Sequence, residues 1–280
     1  MRHEPYRARK IFDDTWVVDL GAVCYCYLLV GSEKALVIDT GMGPANLRTF
    51  LETVTDKPMI AANTHGHGDH TLWNGCFDAV YMHPEAVRDV NGGRNSASGD
   101  PRLAAVPDYE PIPVREGHVF DLGGRHVKVF ETPCHSPGDL MFLDVEHRLL
   151  FTGDNLEVGQ VLIFYGDGKT GGTVKRHLEI LQKMEAHADE FDFICPGHNG
   201  APFHASVLRD FIENDERVLS GIEGTAELPS PSFPMDFFLP SEERRRYVRC
   251  SEWKNTWLIY DTRSVYESEG LFYTGSGTEL

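Results

Sequence analysis

Apolar and polar positions change period along the chain, and the changes mark its elements. Short apolar or alternating blocks at Trp16 to Leu20, Cys24 to Val30 and Lys34 to Ile38 predict three strands, joined by turns at Gly21 and Gly31-Ser32-Glu33. From Pro44 to Val54 the apolar residues Leu47, Phe50, Leu51 and Val54 fall at helical spacing, with Pro44 suited to a first turn. Met59 to Ala62 and Val80 to Met82 read as short strands, and a helix opens at Pro84. Residues 91–113 show little periodicity, so this connection is either a flap or a surface excursion.

Strand character returns at Val127 to Glu131, Leu140 to Val145 and Leu149 to Thr152. An amphipathic helix follows at Val174 to Met184, then a strand at Phe191 to Ile194 and a helix over roughly His204 to Ile222. The chain thus repeats a strand-rich and then helical texture, without a close internal sequence repeat. The Pro-rich stretch Leu228 to Pro234 separates residues 1–222 from an extension, 223–280. The extension holds a charged helix near Ser241 to Val248 and aromatic strand-like pieces at Trp253 to Tyr260 and Leu271 to Tyr273. So many aromatics suit cover for a core, an edge strand or a homodimer contact better than a solvated tail.

The 280 residues are enough for one large core or two small ones. A formal net charge of −17 argues against a nucleic-acid partner, whose phosphates need Lys and Arg. No apolar run is long enough to span a membrane, and the start, Met1 to Tyr6, carries no apolar leader region. The six cysteines read as reduced thiols, so the expected compartment is the cytoplasm.

The chemistry concentrates in Asn63-Thr64-His65-Gly66-His67-Gly68-Asp69-His70, just past a predicted strand. In extended backbone His65 and His67 point to one side. Gly66 and Gly68 tolerate positive φ, so the chain can turn and aim Asp69 and His70 at a second point. Imidazole nitrogens with carboxylate oxygens suit zinc, and less selectively iron or manganese. Other histidines stand alone: His83, His118, His126, His147, His177, His187 and His204 read as surface or packing residues.

His65-x-His67-x-Asp69-His70 resembles the signature of the metallo-β-lactamase-fold hydrolases, which include glyoxalase II, metal-dependent lactonases and ribonuclease Z. Val37-Ile38-Asp39-Thr40-Gly41, Thr132 to Gly138, Phe151-Thr152-Gly153-Asp154 and Cys195-Pro196-Gly197-His198 are similar to the family's later motifs, in order, over residues 15–205. The resemblance implies an α/β fold: an αββα sandwich of two mixed sheets flanked by helices. It implies one metal on His65, His67 and His135, another on Asp69, His70 and His198, with Asp154 bridging. Asp39 would hold a ligand or its loop by hydrogen bonds. Two divalent ions, zinc first, would share a hydroxide that attacks a carbonyl carbon, and Asp69 would shuttle a proton to the leaving group.

The expected substrate is a small ester, lactone or thioester. β-Lactamases of this fold usually lack the bridging aspartate present here as Asp154, which leaves β-lactam hydrolysis as a side activity. Many acyl-homoserine lactonases carry tyrosine three residues after that aspartate, where this chain has Glu157; Tyr165 could reach the pocket instead. No basic glutathione-binding tail maps onto the chain. The alternative implied by the same motifs is an iron-dependent persulfide dioxygenase-like oxidoreductase.

Overall fold

A computed structural model describes residues 6–19, 24–88, 90, 106–163, 172–226 and 246–266. Strands β1 (Arg7–Phe12), β2 (Thr15–Asp19), β3 (Tyr25–Val30), β4 (Ala35–Ile38), β5 (Met59–Ala62), β6 (Val80–Met82) and β7 (Ile112–Pro113) form one sheet in sequential order. Its first four strands are antiparallel, and β4 through β7 pair in parallel. β8 (Val119–Asp121), β9 (His126–Glu131), β10 (Leu140–Asp144), β11 (Leu149–Gly153), β13 (Phe193–Pro196) and β14 (Phe203–His204) form a second mixed sheet, ordered β14-β13-β11-β10-β9-β8.

Period-two alternation sorts each strand's side chains between two faces. Leu29, Leu36 and Ile38 meet Val127, Val129, Leu140, Phe142 and Phe151 between the sheets. Their neighbours Leu28 and Val37 face outward onto Leu47 and Leu51 of helix α1 (Leu47–Leu51). On the other side Met141, Leu143, Leu150 and Ile194 pack beneath α3 (Val174–Glu185) and α4 (Val207–Leu219). A one-turn helix, α2 (Gly68–Thr71), completes the helices used below. The four layers are the expected αββα sandwich.

A third sheet was not foreseen. β12 (Gly159–Leu162) pairs in parallel with β16 (Thr256–Asp261), which pairs in turn with β15 (Val248–Trp253). The described part of the extension is therefore tied to the main fold. Leu258 and Tyr260 share the core under α3 and α4, and Asn214 of α4 donates to the Ser251 carbonyl at 3.0 Å.

Several boundaries differ from expectation. α1 begins at Leu47, not Pro44, because Asn46 caps it by accepting the Thr49 N–H at 3.2 Å. His204 ends a strand instead of opening a helix. Of the 91–113 connection, the described residues 106–113 lie on the fold: Val106 is buried, and Asn74 Nδ2 donates to Tyr109 Oη at 2.9 Å. The rest of that segment, Gly21, Tyr165, the Leu228 to Pro234 stretch, most of the Ser241 to Val248 helix and Leu271 to Tyr273 lie outside the described residues. No helix among the described residues is long and apolar enough to cross a membrane.

Candidate metal centre

The strand ends place the polar loops. Parallel pairing of β4 with β5 sets Ile38 level with Ala62, so Asp39 and the Asn63 to His70 segment leave the sheet side by side. Parallel pairing of β11 with β13 does the same for Asp154 and His198, with Gly153 opposite Pro196. The Leu140 N–H donates to the Thr64 carbonyl at 2.7 Å and joins the two rims. All seven sequence-predicted metal residues gather on this edge. Such a crevice beyond the carboxyl ends of parallel strands is where open α/β sheets bind ligands.

Three overlapping groups form there: His65, His67 and His135; His65, His70 and Asp154; Asp69, His70 and His198. His67 Nδ1 lies 3.0 Å from both His65 Nε2 and His135 Nε2. His70 Nε2 and His198 Nε2 approach to 3.2 Å, with Asp69 Oδ2 at 3.6 and 3.4 Å. Asp154 Oδ2 lies 3.8 Å from His65, 3.5 Å from His135 and 3.4 Å from His198, and so faces both ends of the cluster.

The donor set fits metal ions. Ligand atoms held tetrahedrally at zinc–nitrogen distances stand roughly 3.3 Å apart, and these contacts span 3.0–3.8 Å. The opposite ring nitrogens are engaged elsewhere. His135 Nδ1–H donates to the Leu162 carbonyl at 2.7 Å, and His70 Nδ1–H to Asp39 Oδ2 at 2.9 Å. Thr64 Oγ1 donates to Asp39 Oδ2 at 2.8 Å and so accepts from His65 Nδ1–H at 3.0 Å. The Nε2 of each of these three rings therefore points toward the centre, the arrangement a metal site uses to fix its imidazoles. Burial pushes His65 well below the ordinary histidine range and His67 down to about 3, which keeps both rings neutral. Burial pulls His70 and His198 down too, but the neighbouring carboxylates outweigh it, Asp154 foremost, and both end higher.

Asp39 is 2 % exposed and also accepts the Thr64 N–H at 2.8 Å, so one carboxylate holds the base of both histidine segments. Its φ of 59° is unusual for a non-glycine residue and marks a constrained position. The glycines act differently from expectation. Gly66 and Gly68 do not adopt positive φ; α2 supplies the turn instead. The demanding glycines lie across the cleft. Gly153 has a φ of 54°, and a Cβ there would stand 2.7 Å from Thr64. A Cβ on Gly197 would stand 2.5 Å from Asp154 Oδ1 and 2.8 Å from His70 Cε1. Gly197→Ala should therefore spread the ligands and weaken metal binding by about 10- to 100-fold, the scale of losing a supporting contact, with the circular dichroism spectrum unchanged. A competition titration against a chromophoric chelator measures it.

Sequence reading passed over the buried polar residues around this cluster. Asn74 accepts from Thr40 Oγ1 and donates to Asn63 Oδ1, both at 2.8 Å, while Asn63 Nδ2 donates to the His70 carbonyl at 3.0 Å. Asn155 accepts the His135 N–H at 2.9 Å. Glu157, also buried, accepts from Asn199 Nδ2 at 2.8 Å, beside His198. Asparagine in these contexts looks like turn chemistry; only tertiary contacts reveal its work.

The sequence model of the metallo-beta-lactamase superfamily matches residues 20–217. This chain belongs to that superfamily, and it is a hydrolase of it. It is 30% identical over 200 residues to the acyl-coenzyme A thioesterase MBLAC2 of Gallus gallus, covering 61% of this chain and 71% of the relative. It is 28% identical over 204 residues to the atrochrysone carboxyl ACP thioesterase nsrC of Aspergillus novofumigatus, covering 70% of this chain and 53% of that one. Among solved structures, a metallo-beta-lactamase family protein from Thermus thermophilus superposes with a TM-score of 0.55 at 21% identity, covering 76% of this chain and 80% of that one.

Proposed function

We propose that the chain is a dinuclear metal-dependent thioesterase, using zinc, whose substrate is an acyl group in thioester linkage to a coenzyme A or acyl-carrier phosphopantetheine arm. The observation that carries the reading is Asp154 Oδ2 facing ligand atoms of both end groups, 3.5 Å from His135 and 3.4 Å from His198. His65, His67 and His135 would hold one ion, Asp69, His70 and His198 the other, and Asp154 both. When bound, such ions supply hydroxide at neutral pH and a Lewis acid for the acyl oxygen. The relatives named above support a thioester over a lactone or simple ester.

The chain's own residues do the rest. Asp39 and Thr64 hold the His65 and His70 rings, and the Leu162 carbonyl holds His135. Asp69 is partly exposed at the mouth and is the candidate to carry a proton toward the departing sulfur. Burial pushes its carboxyl up, but His70 and His198 outweigh that and leave it below the usual range, so it is ionised at neutral pH and a poor proton donor. A thioester suits this, because a thiol with a pKa near 8.5 can leave as thiolate without full protonation.

The test is metal analysis joined to a panel of acyl-CoA, acylated carrier protein, lactone, β-lactam and persulfide substrates. Zinc at two equivalents per chain, with kcat/KM highest for a thioester, is expected. One equivalent of iron with oxygen uptake on the persulfide, or faster lactone than thioester cleavage, would overturn the proposal.

A further inference from the structure

A further buried histidine reaches the cluster through Asn155 and is not among its ligand groups. His177 of α3 is fully buried. Its Nδ1 is 2.7 Å from Asp215 Oδ2 on α4, and its Nε2 is 2.7 Å from the Asn155 carbonyl. Both neighbouring atoms are acceptors, so both ring nitrogens donate and the ring is an imidazolium against the Asp215 carboxylate.

Such a pair is a poor device for stability. Asp215 is fully buried, and its Oδ1 has no hydrogen-bond donor among the described residues. Replacing a buried ion pair by apolar residues of similar volume is often neutral or stabilising. What the pair does have is a grip on one residue of unusual connectivity. Asn155 follows Asp154 directly. Its Oδ1 accepts the His135 N–H at 2.9 Å, and its Nδ2 donates to the Thr132 carbonyl at 2.8 Å and to Asp139 Oδ2 at 3.0 Å. Asp139 in turn accepts from the Ser136 N–H at 2.7 Å and the Cys134 N–H at 3.2 Å, on either side of His135.

We propose that His177 is a positioning residue: its Nε2–H, oriented by Asp215, fixes Asn155, and Asn155 holds Asp154 and the His135 loop at the separation needed to share one ion. This rests on the metal reading above and adds to it a part of the fold, the α3–α4 pair, that supplies none of the seven ligands.

The experiment compares purified zinc-loaded proteins by the chelator concentration that removes half the metal, and by the thermal midpoint of the metal-free forms. The His177→Leu/Asp215→Leu double variant is expected to give up zinc at about tenfold or more lower chelator concentration, while its metal-free midpoint stays at or above wild type. Leu181→Ala, which opens a core cavity on the same helix, is expected to lower the midpoint and leave the chelator dependence unchanged. If the double variant does not fold, His177→Gln, which retains a donor, is compared with His177→Met, which does not; the glutamine form is expected to hold zinc about tenfold more tightly. Equal chelator dependence for wild type and the double variant, or for the two single variants, overturns the proposal. A wild-type protein that takes up no metal refutes the underlying site reading instead.

Discussion

Asp154→Ala is expected to lose metal from both ends of the cluster at once. Its Oδ2 approaches His65 and His135 on one side and His198 on the other, at 3.8, 3.5 and 3.4 Å. Its removal deletes a ligand from each group and leaves two crowded sets of imidazoles with less negative charge to hold cations. The loss in metal affinity should exceed the roughly 10- to 100-fold typical of disturbing a supporting residue, and thioester turnover should fall with it. His135→Ala is the informative contrast. It removes a ligand from the His65–His67 end only, so the Asp69–His70–His198 end should keep its ion. Elemental analysis after gel filtration, run on both variants, reads the difference directly; a fully loaded Asp154→Ala protein would contradict the shared-ligand geometry.

The second large effect is on the fold itself. Arg125 is 4 % exposed and fastens the second sheet to the edge of the first. Its Nε donates to Asp144 Oδ2 at 3.0 Å, its Nη1 to the Asp14 carbonyl at 2.7 Å, and its Nη2 to Thr15 Oγ1 at 2.6 Å. Asp144 has no exposed surface. Arg125→Met leaves that carboxylate buried without its cation, at a cost of about 3–5 kcal/mol. For a chain of this size the midpoint should drop by on the order of 10 °C. Arg125→Met/Asp144→Leu should recover most of the loss, because no charge is then stranded. Thermal denaturation of the metal-free proteins checks both; an undisturbed midpoint for the single variant would show that the guanidinium contributes little to joining the sheets.

How much of this was readable beforehand depends on range. The ligand loop announces itself, because His65, His67, Asp69 and His70 are close neighbours at a strand end. His135, Asp154 and His198 are single residues whose partners are far along the chain; motif resemblance brings them in, parallel pairing of β4 with β5 and β11 with β13 explains why Asp154 and His198 meet the ligand loop, and Asn155 holds the His135 segment beside them. The central strands β4, β10 and β11 stood out as short continuous apolar runs, because both faces of each are buried. β1 did not: Arg7, Arg9 and Lys10 line an exposed edge strand, where charge discourages further pairing and hides the apolar pattern. β12 was missed because its identity comes from β16, nearly a hundred residues later. Local freedom alone suggests a turning role for Gly66 and Gly68, whereas the need for glycine at Gly153 and Gly197 beside the cluster is set by side chains from other loops. His177 looked like an isolated helical histidine for the same reason: both its partners are distant in sequence.

In the proposed enzyme one cluster of seven side chains holds two divalent ions, and acyl-thioester cleavage depends on them. Stepwise reloading of the metal-free protein with zinc, followed by acyl-CoA hydrolysis at each step, tests it most directly. Activity should be absent without metal, rise with added zinc and reach its plateau at two equivalents per chain. Full hydrolysis by the metal-free protein, or a plateau reached at one equivalent, would contradict it.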